Sequence, residues 1–437
     1  MLCHGYRDPS AIQIRDESRA VEQKVFARRG HGVFHKASPT VFELNWDTRA
    51  RHAFFTTYIH GFTRSMSEVA YYYREAKPCD HVSASVEAVS LAFMAAQTGS
   101  LQLSRFANAS YVAAIQRLGH TLQDLDADLA EEALQSVLLL DMYEKLVHRN
   151  PQSSHSWLSH ARGGLSLLGA REGSIVSSTT GCQVAARLVT AVTVSCATVG
   201  GRVPPELAKV RRNIGYRVKS IKWSFLGLLG QVVNLKAGVN RGEISTYLLL
   251  VKAKHLDEQF EYLNRARPSD WQPKTIYTGT DARVLGNSYD VHQEHYITQV
   301  SNAIHTLRLI LYNIVRSNIP DQLRSKENDF SKKVRESVNP ICASVPQFIL
   351  PGVHFTNSIP FSPVQQLHCS TLLAPMYLVN QVSEDLLVKE WVRRCFKFMW
   401  ESGGLKAAKD IMDAMDRRSD LDYWTVYAMT GSYAIAA

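Results

Sequence analysis

Ala133-Leu134-Gln135-Ser136-Val137-Leu138-Leu139-Leu140-Asp141-Met142-Tyr143-Glu144-Lys145-Leu146-Val147 is the stretch that decides the fold. Its apolar side chains fall at nearly every angle around a helix rather than on one stripe, which predicts a central helix buried on most sides. Such a helix needs neighbours that each turn one apolar stripe toward it. The flanking sequence supplies them. Val86, Val89, Phe93 and Met94 share a face, and Tyr111, Ala114, Ile115, Leu118 and Leu122 repeat the same period. Trp157, Ala161, Gly164, Leu165 and Leu168 form a further stripe that begins near Ser153 and Ser154 after Pro151. Gly163 and Gly164 sit where a neighbouring helix can approach closely.

Further along, Trp223 to Leu235 is apolar enough for a buried helix, and Tyr296, Val300, Ala303, Ile304, Leu307, Leu311 and Ile314 define a long one ending before Pro320. Leu387, Trp391, Cys395 and Phe398 give another, followed by Leu405, Ala408, Met412 and Met415. Ser174 to Val199 is ambiguous, because its Val, Thr and Ser residues are poor helix formers and good strand formers. Convincing period-two strands are few, so the expected fold class is all-α. No fixed-period repeat is apparent, which argues against a regular solenoid. Residues 1–45 are charged, carry Gly30, Gly32 and the turn-like Ser38-Pro39, and sustain no heptad, so they are expected to be a linker. Residues 46–437 are expected to form one all-α domain.

Of the 437 residues, 45% are hydrophobic and 20% charged, the balance of a folded globular chain rather than a disordered one. Seven cysteines without framework spacing point to a reducing compartment, cytosol or nucleus. The stretch from Val338 to Ser383 lacks Asp, Glu, Lys and Arg, but Pro340, Pro346, Pro351, Pro360, Pro363 and Pro375 interrupt it too often for a membrane span. No membrane partner is expected.

The net charge of +9 is modest for this length. Its sharpest local expression is Lys209, Arg211, Arg212, Arg217, Lys219 and Lys222, interleaved with Val210, Ile214, Val218 and Ile221. The spacing reads as one amphipathic helix with its basic face outward. That face is either simply solvated or serves as a nuclear-import or nucleic-acid patch. Four phosphate contacts there would give a slope of log affinity against log salt of roughly −3.6, which is non-specific binding that could not specify a promoter.

The chain opens with Cys3-His4-Gly5-Tyr6-Arg7-Asp8, followed by Ile14-Arg15-Asp16-Glu17-Ser18. This resembles the segment that closes the binuclear zinc cluster of fungal Zn2Cys6 transcription factors. In that family six cysteines hold two zinc ions; here Cys3 is the last ligand alone, the next cysteine is Cys79, and no Cys-x-x-Cys pair occurs. Later segments are similar to the family's all-helical regulatory domain. Tyr111-Val112-Ala113-Ala114-Ile115-Gln116-Arg117-Leu118, Leu138-Leu139-Leu140-Asp141-Met142-Tyr143-Glu144 and Ser156-Trp157-Leu158-Ser159-His160-Ala161-Arg162-Gly163-Gly164 follow in its order. Tyr289-Asp290-Val291-His292, Ile341-Cys342-Ala343-Ser344-Val345-Pro346 and Leu372-Leu373-Ala374-Pro375-Met376-Tyr377 match its later parts, so the resemblance covers about Phe54 to Met415. As packing motifs, Trp157 and Tyr111 are expected to fill helix interfaces, and Pro346 and Pro375 to shape helix ends.

The resemblance implies a nuclear, non-enzymatic transcription regulator of a metabolic or secondary-metabolite gene cluster. It implies partners in the transcription machinery or a paralogous regulator, and a possible small-molecule effector. Zinc, and with it DNA contact, is implied only for a longer product carrying the full cluster upstream of Met1. Without that, the expectation is a clusterless co-regulator that binds a paralogue and does not touch DNA.

An all-α enzyme of the terpene-synthase type is the competing class. Asp124, Asp126 and Asp128 alternate, whereas a magnesium-bracketing Asp-Asp-x-x-Asp pattern needs adjacent carboxylates plus another one turn on. Asn328-Asp329-Phe330-Ser331 with Glu336 places its serine one position early, and Lys332 and Lys333 stand beside it. These read as helix-capping and solvated groups. His292 and His295 are expected one turn apart on a helix, two donors where structural zinc needs four. No Gly-x-Ser-x-Gly elbow, phosphate-binding loop or dinucleotide fingerprint accompanies a strand.

Overall fold

In a computed structural model, residues 45–75, 80–123, 126, 129–149, 154–320, 327–418 and 420–431 are described, and they form a succession of helices interrupted by one β-hairpin. α1 (Trp46–Ala53) runs on through a π-helical turn (Phe54–His60) to α2 (Ser67–Glu75), α3 (His81–Thr98) and α4 (Leu101–Gln123). Then come α5 (Ala130–Val147), α6 (Ser154–Ile175), α7 (Thr179–Thr198), α8 (Pro205–Ile214), α9 (Ile221–Asn240) and α10 (Thr246–Arg265). After the hairpin of β1 (Lys274–Tyr277) and β2 (Ser288–Val291) follow α11 (His295–Asn318), α12 (Glu327–Ser344), α13 (Pro346–Ile349) and α14 (Pro363–Val382). α15 (Leu386–Glu401), α16 (Lys406–Arg417) and α17 (Tyr423–Met429) complete the series. The fold is all-α. Cys3 and the expected linker lie outside the described residues.

α5 is the helix its sequence dictates. Leu134, Val137, Leu138, Leu139 and Leu140 are all buried, and α2, α3, α4, α6 and α7 pack around it. Each such side chain taken from water contributes about 1.5–3 kcal/mol. Covering it so completely also buries Gln135, Asp141, Glu144 and Lys145, and all of these but Glu144 recur in the site below. Trp157 is fully buried, and Tyr111 stacks on Tyr143 at 4.1 Å while bonding Glu144 and His160, so it ties α4, α5 and α6 together. The ambiguous Ser174–Val199 segment is helical as α7 from Thr179 onward. Ser178 starts it by accepting the Gly181 amide at 2.8 Å, and Gly181 is required there because a Cβ would stand 1.8 Å from the Ile175 carbonyl oxygen. Neighbours on several sides (α2, α5, α6, α8, α9 and α17) override the weak local propensity.

A second centre forms where α11 and α14 pack on one another, with α9, α10 and α12 around α11 and α15 and α17 against α14. The continuous core draws on residues from Tyr72 to Tyr427. Beneath α11 lies a buried ionic network: Asp257 of α10 accepts from Arg308 Nε at 2.9 Å, from Tyr312 and from Lys333 Nζ at 2.8 Å.

Several expectations need correction. The hairpin departs from the helical reading: Thr275-Ile276-Tyr277 is β-prone, and the register pairs Thr275 with Asp290, whose side chains also bond at 2.7 Å. Ile115 and Leu122 are exposed, because the buried arc of α4 centres on Leu103, Ala107, Ala114 and Leu118 and those two lie on its flank. Leu387 is 69% exposed in the first turn of α15. Of the adjacent glycines only Gly164 is buried, whereas Gly163 faces open space. Pro346 does begin a helix, but Pro375 stands inside α14. Among the described residues no helix is long and apolar enough to cross a membrane.

Candidate functional site

The basic segment is two helices, not one. Gly215 ends α8, and Ser220 begins α9 by accepting the Trp223 amide at 3.0 Å, so the apolar period runs across a real break. Its six cations consequently diverge. Lys209, Arg212 and Lys219 are exposed, Lys209 standing 3.5 Å from Glu172. Arg217 reaches back to the carbonyl oxygens of Val176 and Ser177 at 2.7 and 3.0 Å, bracing the turn before α7. Arg211 turns inward, lies 4.4 Å from the Trp223 ring and donates to the Trp223 carbonyl. Lys222 lines a cavity, its ammonium 6.0 Å from the centre of the Tyr296 ring.

That cavity, about 250 Å³ in volume, lies among α2, α5, α7, α9 and α17. Gln183, Ala186, Arg187, Thr190, Ala191 and Val194 line it from one face of α7, spaced by three and four. Asp141, Met142 and Lys145 of α5 face them, with Lys222, Trp223 and Leu226 of α9 and Tyr427 of α17 closing other sides. The wall is mostly apolar, and its polar groups converge. Arg187 donates to Glu68 at 2.6 Å and to Gln135 Oε1 at 3.0 Å, and Lys145 bonds Asp141 Oδ2 at 2.6 Å. Asp141 Oδ1 and Gln135 Nε2 are buried and lack a hydrogen-bond partner among the described residues. Lys222 keeps some accessible surface, yet its ammonium lies deep, and burial together with the charge of Arg187 lowers its pKa to about 8. A largely apolar hollow with a few converging polar groups and one displaced pKa is how a small-molecule site is built.

Histidines gather at a second place. His292 follows β2 and His295 opens α11, so the two do not share a helix turn; instead the His295 ring lies 4.3 Å from both His354 and His368 and stacks on Phe348 at 4.5 Å. Burial, and then the neighbouring rings, push His295 down to about 2 and His368 to about 3. These are neutral packing histidines. Among the described residues no group of three or more His, Cys, Asp or Glu is placed to hold a metal ion.

The carboxylates weighed for metal chemistry are only partly among the described residues. Asp126 is exposed, Asp124 and Asp128 lie outside the described residues, as do the Asn328 and Asp329 side chains, and Lys333 is engaged with Asp257. Lys332 stands 4.0 Å from Glu336 on an exposed helix face. No family model, curated protein or solved structure matches the chain.

Proposed function

We propose that the chain is a fungal-type transcription regulator whose helical domain senses a small-molecule effector. Its setting is the nucleus and its target a metabolic or secondary-metabolite gene cluster. The observation that carries the reading is the 250 Å³ cavity at the meeting of five helices, an effector-sized hollow beside the longest buried core. The ordered resemblance between Tyr111 and Tyr377 supports the same class. A ligand binding there favours the packing of α7, α9 and α17 in which the cavity is closed, and so shifts the population that presents a partner surface.

The zinc cluster of that class does not fit the donors present, since Cys3 is its one matching ligand and no Cys-x-x-Cys pair exists. No step is therefore assigned to zinc. The alternative reading is a co-regulator that reaches DNA through a paralogous regulator or the transcription machinery. Fusing the 437-residue chain to a heterologous DNA-binding domain tests this directly. Reporter output that rises or falls relative to the DNA-binding domain alone is expected; unchanged output overturns the regulatory reading. The unfused chain is expected to show no sequence preference in a mobility-shift assay.

A further inference from the structure

We infer that the cavity among α2, α5, α7, α9 and α17 binds an uncharged aryl molecule of about ten non-hydrogen atoms. This names the effector class for the function proposed above, and rests on that reading for its biological meaning alone.

Size comes first. A buried apolar cavity of about 150 Å³ accommodates benzene, so this one, at about 250 Å³, has room for roughly ten non-hydrogen atoms. The room comes largely from α7, which turns Ala186, Thr190 and Ala191 toward a hollow that longer side chains would fill.

Charge comes next, and it disfavours ions of either sign. The wall carries Arg64, Lys145, Arg187 and Lys222 with Glu68 and Asp141. Each already has a partner. Arg187 donates to Glu68 at 2.6 Å and Lys145 to Asp141 at 2.6 Å, and both carboxylates are buried. Arg64 is paired with Glu294 and lies 5.6 Å from the centre of the Tyr296 ring. Lys222 is likewise engaged, with the same ring 6.0 Å from its ammonium. Neither Glu294 nor Tyr296 lines the cavity, so these two cations are drawn toward groups outside it. An entering ion would have to compete with a group already in place and give up its own hydration as well. An uncharged molecule meets neither cost.

The rest of the wall suits a ring. Tyr58, Trp223 and Tyr427 bring aromatic surface from the π-helical turn, α9 and α17, and Met66 and Met142 offer thioethers that pack well against ring edges. The hydroxyls are occupied within their own helices: Thr190 donates to the Ala186 carbonyl at 3.1 Å, and Ser220 accepts the Trp223 amide at 3.0 Å.

The test uses the full chain and three probes of about ten non-hydrogen atoms each, the number the cavity admits: uncharged methyl benzoate, anionic phenylacetate and cationic 3-phenylpropylammonium. Binding is read by titration calorimetry. Methyl benzoate is expected to bind about tenfold or more tighter than either ion. Ala191→Leu, which fills the hollow, is expected to weaken methyl benzoate by about tenfold. Glu68→Gln removes the carboxylate charge from Arg187 and is expected to raise phenylacetate affinity several-fold, with methyl benzoate changed by less than about twofold. Circular dichroism checks that each variant is folded. If one is not, Ala186→Leu replaces Ala191→Leu, and Asp141→Asn, which takes the carboxylate from Lys145, replaces Glu68→Gln. An ion bound as tightly as methyl benzoate, no saturable binding of methyl benzoate, an affinity unchanged by the filled hollow, or no gain for phenylacetate once a cation has lost its carboxylate overturns the inference. A silent reporter fusion alongside selective methyl benzoate binding would instead sink the regulatory reading and leave the site assignment standing.

Discussion

Substituting the adjacent glycines of α6 by alanine should move stability in opposite directions. Gly163 is exposed, and a Cβ there meets nothing within 4 Å, so Gly163→Ala gains the helix-propensity difference of about 1 kcal/mol. Gly164 has the same propensity to gain but faces the core. Its Cβ would stand 2.7 Å from Leu188 Cδ1 and 3.2 Å from Val137 Cγ1, well inside the ~3.5–4.0 Å optimum for carbon contacts. Leu188 is fully buried and the Val137 branch is stiff, so relief means forcing the end of Leu188 into packed neighbours or displacing α7 or α5. Overpacking of this kind costs about 1–3 kcal/mol, which leaves Gly164→Ala with a net loss of up to about 2. The assay is urea unfolding followed by far-UV circular dichroism, comparing midpoints at constant slope. Shortening the neighbour with Leu188→Val in the Gly164→Ala background should recover part of the loss, since the two side chains are in contact. If Gly164→Ala stabilises as much as Gly163→Ala, the close approach of α6 to α5 and α7 is wrong.

Three further outcomes are expected. Asp257→Asn removes the nearer carboxylate from buried Arg308, leaving Glu261 at 3.3 Å, and should cost up to about 3–5 kcal/mol in the same unfolding assay. Burial by itself raises the Asp257 pKa, but its bonds from Lys333 and Tyr312 and the charge of Arg308 outweigh that and hold it below the ordinary 3.8; the stabilisation is present above that value and lost as pH falls through the folded pKa. His295, His305 and His368 are lowered by burial from 6.5 to about 2, 3 and 3, so the unfolded chain binds more protons below 6.5 and stability falls with acid. Each should contribute about 1 kcal/mol of loss per pH unit, and an unfolding midpoint unchanged from pH 7 to 5 would refute their neutral burial. Lys222, lowered from 10.5 to about 8, leaves the unfolded chain the more protonated form between those values, so stability rises with pH through that window. At pH 7 the ligand-free Lys222→Met variant should gain up to about 3 kcal/mol, measured as a higher melting temperature that converges with the parent near pH 10.5.

Why some elements were legible in the sequence and others were not follows from where their information resides. α5 declares itself because an all-round apolar helix has one solution, burial. α7 does not, since its Val and Thr residues favour strand locally and only the surrounding helices settle the matter. The basic segment misleads because Val210, Ile214, Val218 and Ile221 keep a helical period straight through the Gly215–Ser220 break. Periodicity counts spacing and does not register a turn that happens to preserve it. The cavity is the hardest case, since its wall is gathered from positions between Tyr58 and Gly431 with no local motif. Its one trace in the sequence is charge in apolar surroundings: Lys145 in α5, Arg187 in α7 and Lys222 at the head of the apolar first half of α9. His295 pairs with His354 and His368 for the same reason, that tertiary neighbours outrank sequence neighbours.

The place of α17 in the cavity wall has a consequence for how the protein is made. Most of the wall is supplied by segments up to Leu226, but Tyr427 and Gly431 are needed to complete it, and α17 docks on both α7 and α14. A chain that leaves the ribosome N-terminus first therefore presents Val194 and Leu226 on an open apolar trough throughout the synthesis of the next two hundred or so residues. Enclosure is a late event in biogenesis. A nascent chain stalled before Tyr423 would offer that trough to chaperones, or to other unfinished chains, in place of its proper lid.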